Sequence, residues 1–231
     1  LTPKLLGIFA LGGLQGAMGW YMVKSGLVDD PRVSQYRLTA HLSIAFLIFI
    51  SMMWVALGLV AERARETTDL ALRKLQRIGF WLSLLVFYMV ITGGFVAGIR
   101  AGKAYNTFPL MNGDFIPPEI FMIDPWHLNF FNNMATVQFD HRLGAWLLAF
   151  IVPWFCFKLF AGPVSPRARL AAKLLLAVLV WQIALGIATL LLAVPVALGA
   201  AHQGGAMIVF GVLLWLNHEL RVAPATAGVG R

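Results

Sequence analysis

Three of the five histidines in this 231-residue chain stand where histidine is costly: His41, His141 and His202 lie inside long apolar runs. A strongly polar or ionisable side chain within a membrane helix is expensive, so each marks a candidate site. All three fall within about one helical turn of the same end of their runs, and so share one depth despite their separation in sequence. A lone histidine near a helix end is most simply a hydrogen-bonding partner of a neighbouring helix or of interfacial water. Three at one depth point instead to ligation. Neutral imidazole is a good iron ligand, and axial histidine is a common way to hold heme.

A porphyrin is a wide flat plate and needs small residues beside its ligands. Positions four apart share a helix face, and Ala45, Ala145 and Ala206 stand there, with Gly144 and Gly205 one position earlier on two of the helices. His141 and His202 are expected to share one heme. That leaves His41 as half of a second site. His127 is a competing partner for His41, and His218, beside Glu219, is read as an interfacial residue at the inner end of its helix. Arg142 follows His141 and Arg37 lies one turn before His41; arginine pairs well with carboxylates such as heme propionates, although snorkelling to the interface would also place them there. Asp140 is expected either to orient a ring or to cap a helix.

The elements that must position these residues are membrane helices. Apolar residues make up 60% of the chain and charged residues 12%, roughly half the charge of a soluble domain. Six apolar runs, at about 4–23, 38–61, 78–99, 140–160, 169–192 and 198–217, are each long enough to span a bilayer as a helix. The net charge of +8 sits in short loops, so the positive-inside rule explains it better than nucleic acid does. Arg63, Arg65, Arg73, Lys74 and Arg77 mark one inner loop; Lys158, Arg167, Arg169 and Lys173 mark another. Both are expected to face the cytoplasm or mitochondrial matrix. The single cysteine, Cys156, excludes an internal disulfide and a cysteine metal cluster. An outer loop, 100–138, is rich in proline and aromatic residues, and long loops of this kind often cover a functional site.

An internal repeat organises the chain. Gln15-Gly-Ala-Met-Gly19 and Gln182-Ile-Ala-Leu-Gly186 each precede a short loop and then a helix with Ala40-His41 or Ala201-His202. The two copies run in the same direction, as in parallel membrane repeats. The second copy has four helices and the first only two, so two helices are expected before Leu1. The expected divisions are 1–61, the last two helices of an N-terminal half; 62–77, an inner linker; 78–221, a C-terminal four-helix half containing the outer loop; and 222–231, a tail.

Several stretches together resemble the heme A synthase family. They are Gly13-Leu-Gln-Gly-Ala-Met-Gly-Trp-Tyr-Met-Val-Lys-Ser-Gly26, Pro31-Arg-Val-Ser-Gln-Tyr-Arg-Leu-Thr-Ala-His41, Tyr105-Asn-Thr-Phe-Pro-Leu-Met111, Val137-Gln-Phe-Asp-His-Arg142 and Ala201-His-Gln-Gly204. The likeness covers nearly the whole chain and is closest to the branch of mitochondria and related bacteria, which lacks paired outer-loop cysteines. It implies an all-α integral membrane protein of eight helices in two pseudo-symmetric four-helix bundles, six of them in this chain. It implies heme b on His141 and His202, and substrate heme o in the N-terminal half with His41 as one ligand; that half's other histidine lies on a helix absent here. The implied reaction oxidises a ring methyl of heme o to a formyl group by successive hydroxylations, giving heme A for cytochrome c oxidase. The implied location is the mitochondrial inner membrane or the bacterial plasma membrane. Implied partners are an external electron donor, since no flavin or nicotinamide motif is present, together with heme o synthase, cytochrome oxidase assembly factors and membrane lipid.

Two other classes compete. A b-type electron-transfer cytochrome also uses paired histidines, but does not lead one to expect unequal halves or a long outer loop. A repeat-built transporter places its polar groups near the midplane on broken helices, whereas these histidines lie near one surface.

Overall fold

In the computed structural model, residues 1–24, 33–60 and 70–221 are described. The helices are α1 (Thr2–Lys24), α2 (Gln35–Val60), α3 (Leu70–Gly98), α4 (Ala101–Ala104), α5 (Asn129–Asn132), α6 (Met134–Ala161), α7 (Pro166–Leu191) and α8 (Val196–Glu219), with a 3-10 turn at Trp126–Leu128 before α5. Six of them, α1, α2, α3, α6, α7 and α8, are long and apolar enough to cross a membrane, and the chain is an all-helical integral membrane protein. Arg63, Arg65 and the first part of the expected inner linker lie outside the described residues. Its last part is helical, since α3 starts at Leu70 rather than near 78.

Local chemistry sets the helix ends. Asn133 caps α6, its side-chain oxygen accepting from the backbone N–H groups of Ala135 and Thr136 at 2.8 and 3.2 Å. Ser165 caps α7 by accepting from Ala168 N–H at 3.1 Å, and Pro166 occupies the first turn, where no N–H is needed. Each such cap contributes about 1 kcal/mol. Asp140 is therefore not the cap of α6: the helix begins at Met134, and the Asp140 carboxylate instead accepts from Tyr88 Oη on α3.

Helices α3, α6, α7 and α8 form a ring in which α3 packs on α6, α6 on α7, α7 on α8 and α8 on α3. Helices α6 and α8 thus stand at opposite corners. The ring is filled by Leu82, Val86, Leu148, Val152, Phe155, Leu175, Phe210 and Leu213. Polar side chains tie its inner end, where lipid supplies no partners: the Asn217 amide donates to Gly79 O at 3.0 Å and Ser83 Oγ at 2.8 Å, and Gln76 donates to Leu220 O at 2.8 Å. His218 is buried there, at the end of α8, its ring edge-on to Trp54 at 5.4 Å.

Helix α2 flanks the ring, packing on α3 and α8, and α1 packs on α2. The α2–α3 approach is close because Gly94 and Gly98 face Thr39 and Gln35; a Cβ at Gly94 would lie 2.8 Å from Thr39 Oγ1, and one at Gly98 would lie 2.6 Å from the Gln35 Cα. This is the small-residue spacing that lets membrane helices touch backbone to backbone.

Candidate heme site

His41 and His202 each stand six residues beyond their helix starts, Gln35 and Val196, and His141 stands seven beyond Met134. At 1.5 Å per residue all three lie about 10 Å along their helices. They share a depth, but nearly two turns in rather than one, because α2, α6 and α8 begin earlier than hydropathy indicates.

Each imidazole rests on a glycine of the preceding membrane helix. A Cβ at Gly19 of α1 would lie 3.2 Å from His41 Cε1, one at Gly93 of α3 would lie 3.3 Å from His141 Cε1, and one at Gly186 of α7 would lie 2.7 Å from His202 Cε1. Gly19 and Gly186 are the last residues of the repeated motif, and the motif glutamines also serve these histidines. The Gln15 amide donates to His41 Nε2 at 3.1 Å, and the Gln182 amide donates to the backbone carbonyl of His202 at 2.9 Å. Gly205 gives Gln182 its room, and Gly144 admits the Met89 sulfur of α3. These two glycines, expected to make space for a plate, are occupied by packing side chains.

One ring nitrogen of His141 is fixed by a hydrogen bond. Thr92 Oγ1 donates to Met89 O at 3.1 Å. Its only hydrogen being used, it accepts from His141 Nδ1–H at 2.8 Å. This fixes the tautomer with Nε2 unprotonated and open to a metal, the second-sphere arrangement typical of metal-bound histidine. Buried Nδ1 atoms of His41 and His202 have no hydrogen-bond partner among the described residues. His141 and His202 stand on α6 and α8, the opposite corners of the ring. The donor set therefore fits a heme. Among the described residues no group of three or more His, Cys, Asp or Glu side chains could hold a bare metal ion.

The other expected residues are placed as follows. Arg37 lies on the first turn of α2, its guanidinium 4.5 Å over the Tyr21 ring. Arg142 turns to the outer loop. It donates to the carbonyls of Tyr105 (2.9 Å), Thr107 (2.8 Å), Leu110 (3.3 Å) and Pro109 (3.4 Å). His127 is exposed beside Trp126 in the 3-10 turn, while the neighbours of the His41 ring are Gln15 and Gly19. Tyr105 donates to Glu119 at 3.2 Å, and burial together with that carboxylate raises its phenol above the ordinary range. Sequence reasoning missed Thr92 and Gly93. Their signal is a Thr-Gly-Gly run inside an otherwise bulky span.

Fold and site together define a polytopic membrane protein with three imidazoles at one depth, each against a glycine. The family model described as COX15-CtaA, cytochrome oxidase assembly protein, matches residues 1–214, and the chain belongs to that family. It is 63% identical to the heme A synthase of Nitrosospira multiformis over 96% of this chain. It is 56% identical to that of Nitrosomonas eutropha over 95%, and 47% identical to that of Parvibaculum lavamentivorans over 95%. The chain spans 62% of the length of each of these relatives.

Proposed function

We propose that this chain is the larger part of a heme A synthase, in which His141 and His202 hold a resident heme b and His41 is one axial ligand of substrate heme o. The observation that carries the reading is the threefold arrangement of imidazole on glycine at one depth, with two of the three at opposite corners of a closed four-helix ring. Kinship with proteins named heme A synthase supports the activity: oxidation of a ring methyl of heme o to a formyl group, giving heme A for cytochrome c oxidase.

Bound heme b would supply one-electron redox chemistry inside the ring. The protein's own residues bind and orient. Thr92 holds His141 in the ligating tautomer, Gly93 and Gly186 leave room for the two rings to approach their neighbouring helices, and the Gln182 amide ties α7 to α8 beside His202. At the second site the Gln15 amide occupies His41 Nε2 and yields it to a ligand. Arg37, at the outer end of α2, is the candidate partner for a propionate. Residues 1–61 belong to the substrate half and 78–221 to the cofactor half, with the outer loop facing the side opposite the basic loops. Electrons come from an external donor, and the setting is a bacterial plasma membrane or a mitochondrial inner membrane.

Heme extracted from the purified full-length protein and identified by mass tests this. Heme b together with heme o or heme A is expected. Heme b alone would favour the second reading, an electron-transfer cytochrome, which the paired corner histidines equally suit.

A further inference from the structure

We propose that Arg142 is a latch that fastens the outer loop across the mouth of the His141–His202 pocket, a positioning role resting on the reading of that pair as a heme site. An arginine has five N–H donors. The four terminal ones of Arg142 go to four backbone carbonyls, those of Tyr105, Thr107, Pro109 and Leu110. The fifth, on buried Nε, has no partner among the described residues. Among the described residues no carboxylate is a partner, so the guanidinium serves the loop and leaves a single N–H for anything else.

The carbonyl cup is built to shape. Thr107 Oγ1 donates to Leu110 O at 2.8 Å and accepts from Asn112 N–H at 2.7 Å, and the Asn112 amide donates to Ala104 O at 3.1 Å. Phe108 stacks on Trp146 of α6, one turn beyond Arg142, with ring centroids 5.9 Å apart and planes at 16°. A void of about 30 Å³ lies between this segment and α6. The path of the chain makes the cup a cover. Helix α4 leaves α3 and reaches Val194 in the turn joining α7 and α8, where a Cβ on Gly102 would lie 3.1 Å from the Val194 side chain. Helix α4 packs on α3 and α6 and touches the α7–α8 turn, so it sits at the end of the ring where that turn lies, and the segment that follows is pinned to α6 by the residue next to His141. Tyr105-Asn-Thr-Phe-Pro-Leu-Met111 is thus a structural clasp whose backbone, rather than its side chains, meets Arg142.

Full-length protein in lipid nanodiscs tests the latch by two measurements on Arg142→Gln, Arg142→Lys and Thr107→Ala. Amide hydrogen exchange at Met111 and Asn112, followed in heme-free and heme-loaded protein, reads the clasp without depending on heme. Transfer of heme to an apomyoglobin acceptor reads the cover. Arg142→Gln is expected to speed both at least tenfold while the low-spin absorption spectrum at the start of transfer stays unchanged. Thr107→Ala is expected to change both in the same direction, and it keeps the test open if Arg142→Gln does not fold. Arg142→Lys is expected to recover only part of the protection, because three donors on a point charge cannot fill a planar four-carbonyl cup. Unchanged exchange in both Arg142→Gln and Thr107→Ala overturns the latch, as does complete rescue by lysine, which would assign the effect to charge. Protein that binds no heme, yet shows faster exchange in the variants, refutes the heme reading and leaves the clasp standing.

Discussion

Thr92 determines which nitrogen of His141 carries hydrogen, and that makes it the residue whose loss is most informative. Thr92→Val keeps the shape of the side chain but removes the acceptor, leaving a buried Nδ1–H unsatisfied at a cost of about 1–3 kcal/mol. The His141 ring then loses its fixed tautomer. Heme affinity of the C-terminal site is expected to fall about 10- to 100-fold, measured by titrating heme into protein stripped of it, with the bis-imidazole spectrum weakened in proportion. Undiminished affinity would mean that Thr92 contributes only to helix packing. The histidines were legible in the sequence because a polar ring in a long apolar run stands out. Thr92 was not, because threonine is common in membrane helices and its bond to His141 spans 49 positions along the chain. The direction of Arg142 was equally hidden: from sequence a guanidinium beside a heme ligand suggests a propionate, and only the folded loop reveals four carbonyls at hydrogen-bonding distance.

Among the helices, the recurring unit is a pair: one supplies a glycine seat and the next supplies the imidazole. The pairs α1–α2, α3–α6 and α7–α8 all do this, although α3 and α6 are separated by the whole outer loop. Gly186→Val inserts a branched side chain where even a Cβ would lie 2.7 Å from His202 Cε1. Overpacking of this kind costs about 1–3 kcal/mol, and turning the ring costs ligand geometry as well. Heme retention after purification is expected to fall at least tenfold, whereas Gly7→Val, on an open surface of α1 with nothing within 4 Å, should leave it unchanged. Equal retention in the two variants would remove the seat from the account. Sequence periodicity found all six spans, because length and hydropathy are sufficient for that. It misjudged their outer ends, since α6 begins with Met134-Ala-Thr-Val-Gln, whose polar residues lower the hydropathy although Asn133 already caps the helix there. The repeat was legible through Gln15, Gly19, Gln182 and Gly186. What those residues do was not, because it depends on the rotation of each helix about its axis.

Across the whole molecule the two copies of the repeat are unequally housed. His202 belongs to a closed ring with His141 at the opposite corner. Among the described residues, His41 has Gln15 and Gly19 about its ring and no histidine in contact with it, in a chain that spans 62% of the length of relatives such as that of Nitrosospira multiformis. The account assigns the complete site to the cofactor and the other to the substrate, so the two should be separable by mutation. The direct measurement is heme A and heme b per protein, by extraction and mass analysis, for full-length His41→Ala and His141→Ala made in cells that supply heme o. With His41→Ala the account predicts that heme b stays bound near the wild-type ratio while heme A formation stops. With His141→Ala it predicts that heme b is lost. Normal heme A output from His41→Ala, or heme b retained in His141→Ala, would contradict it.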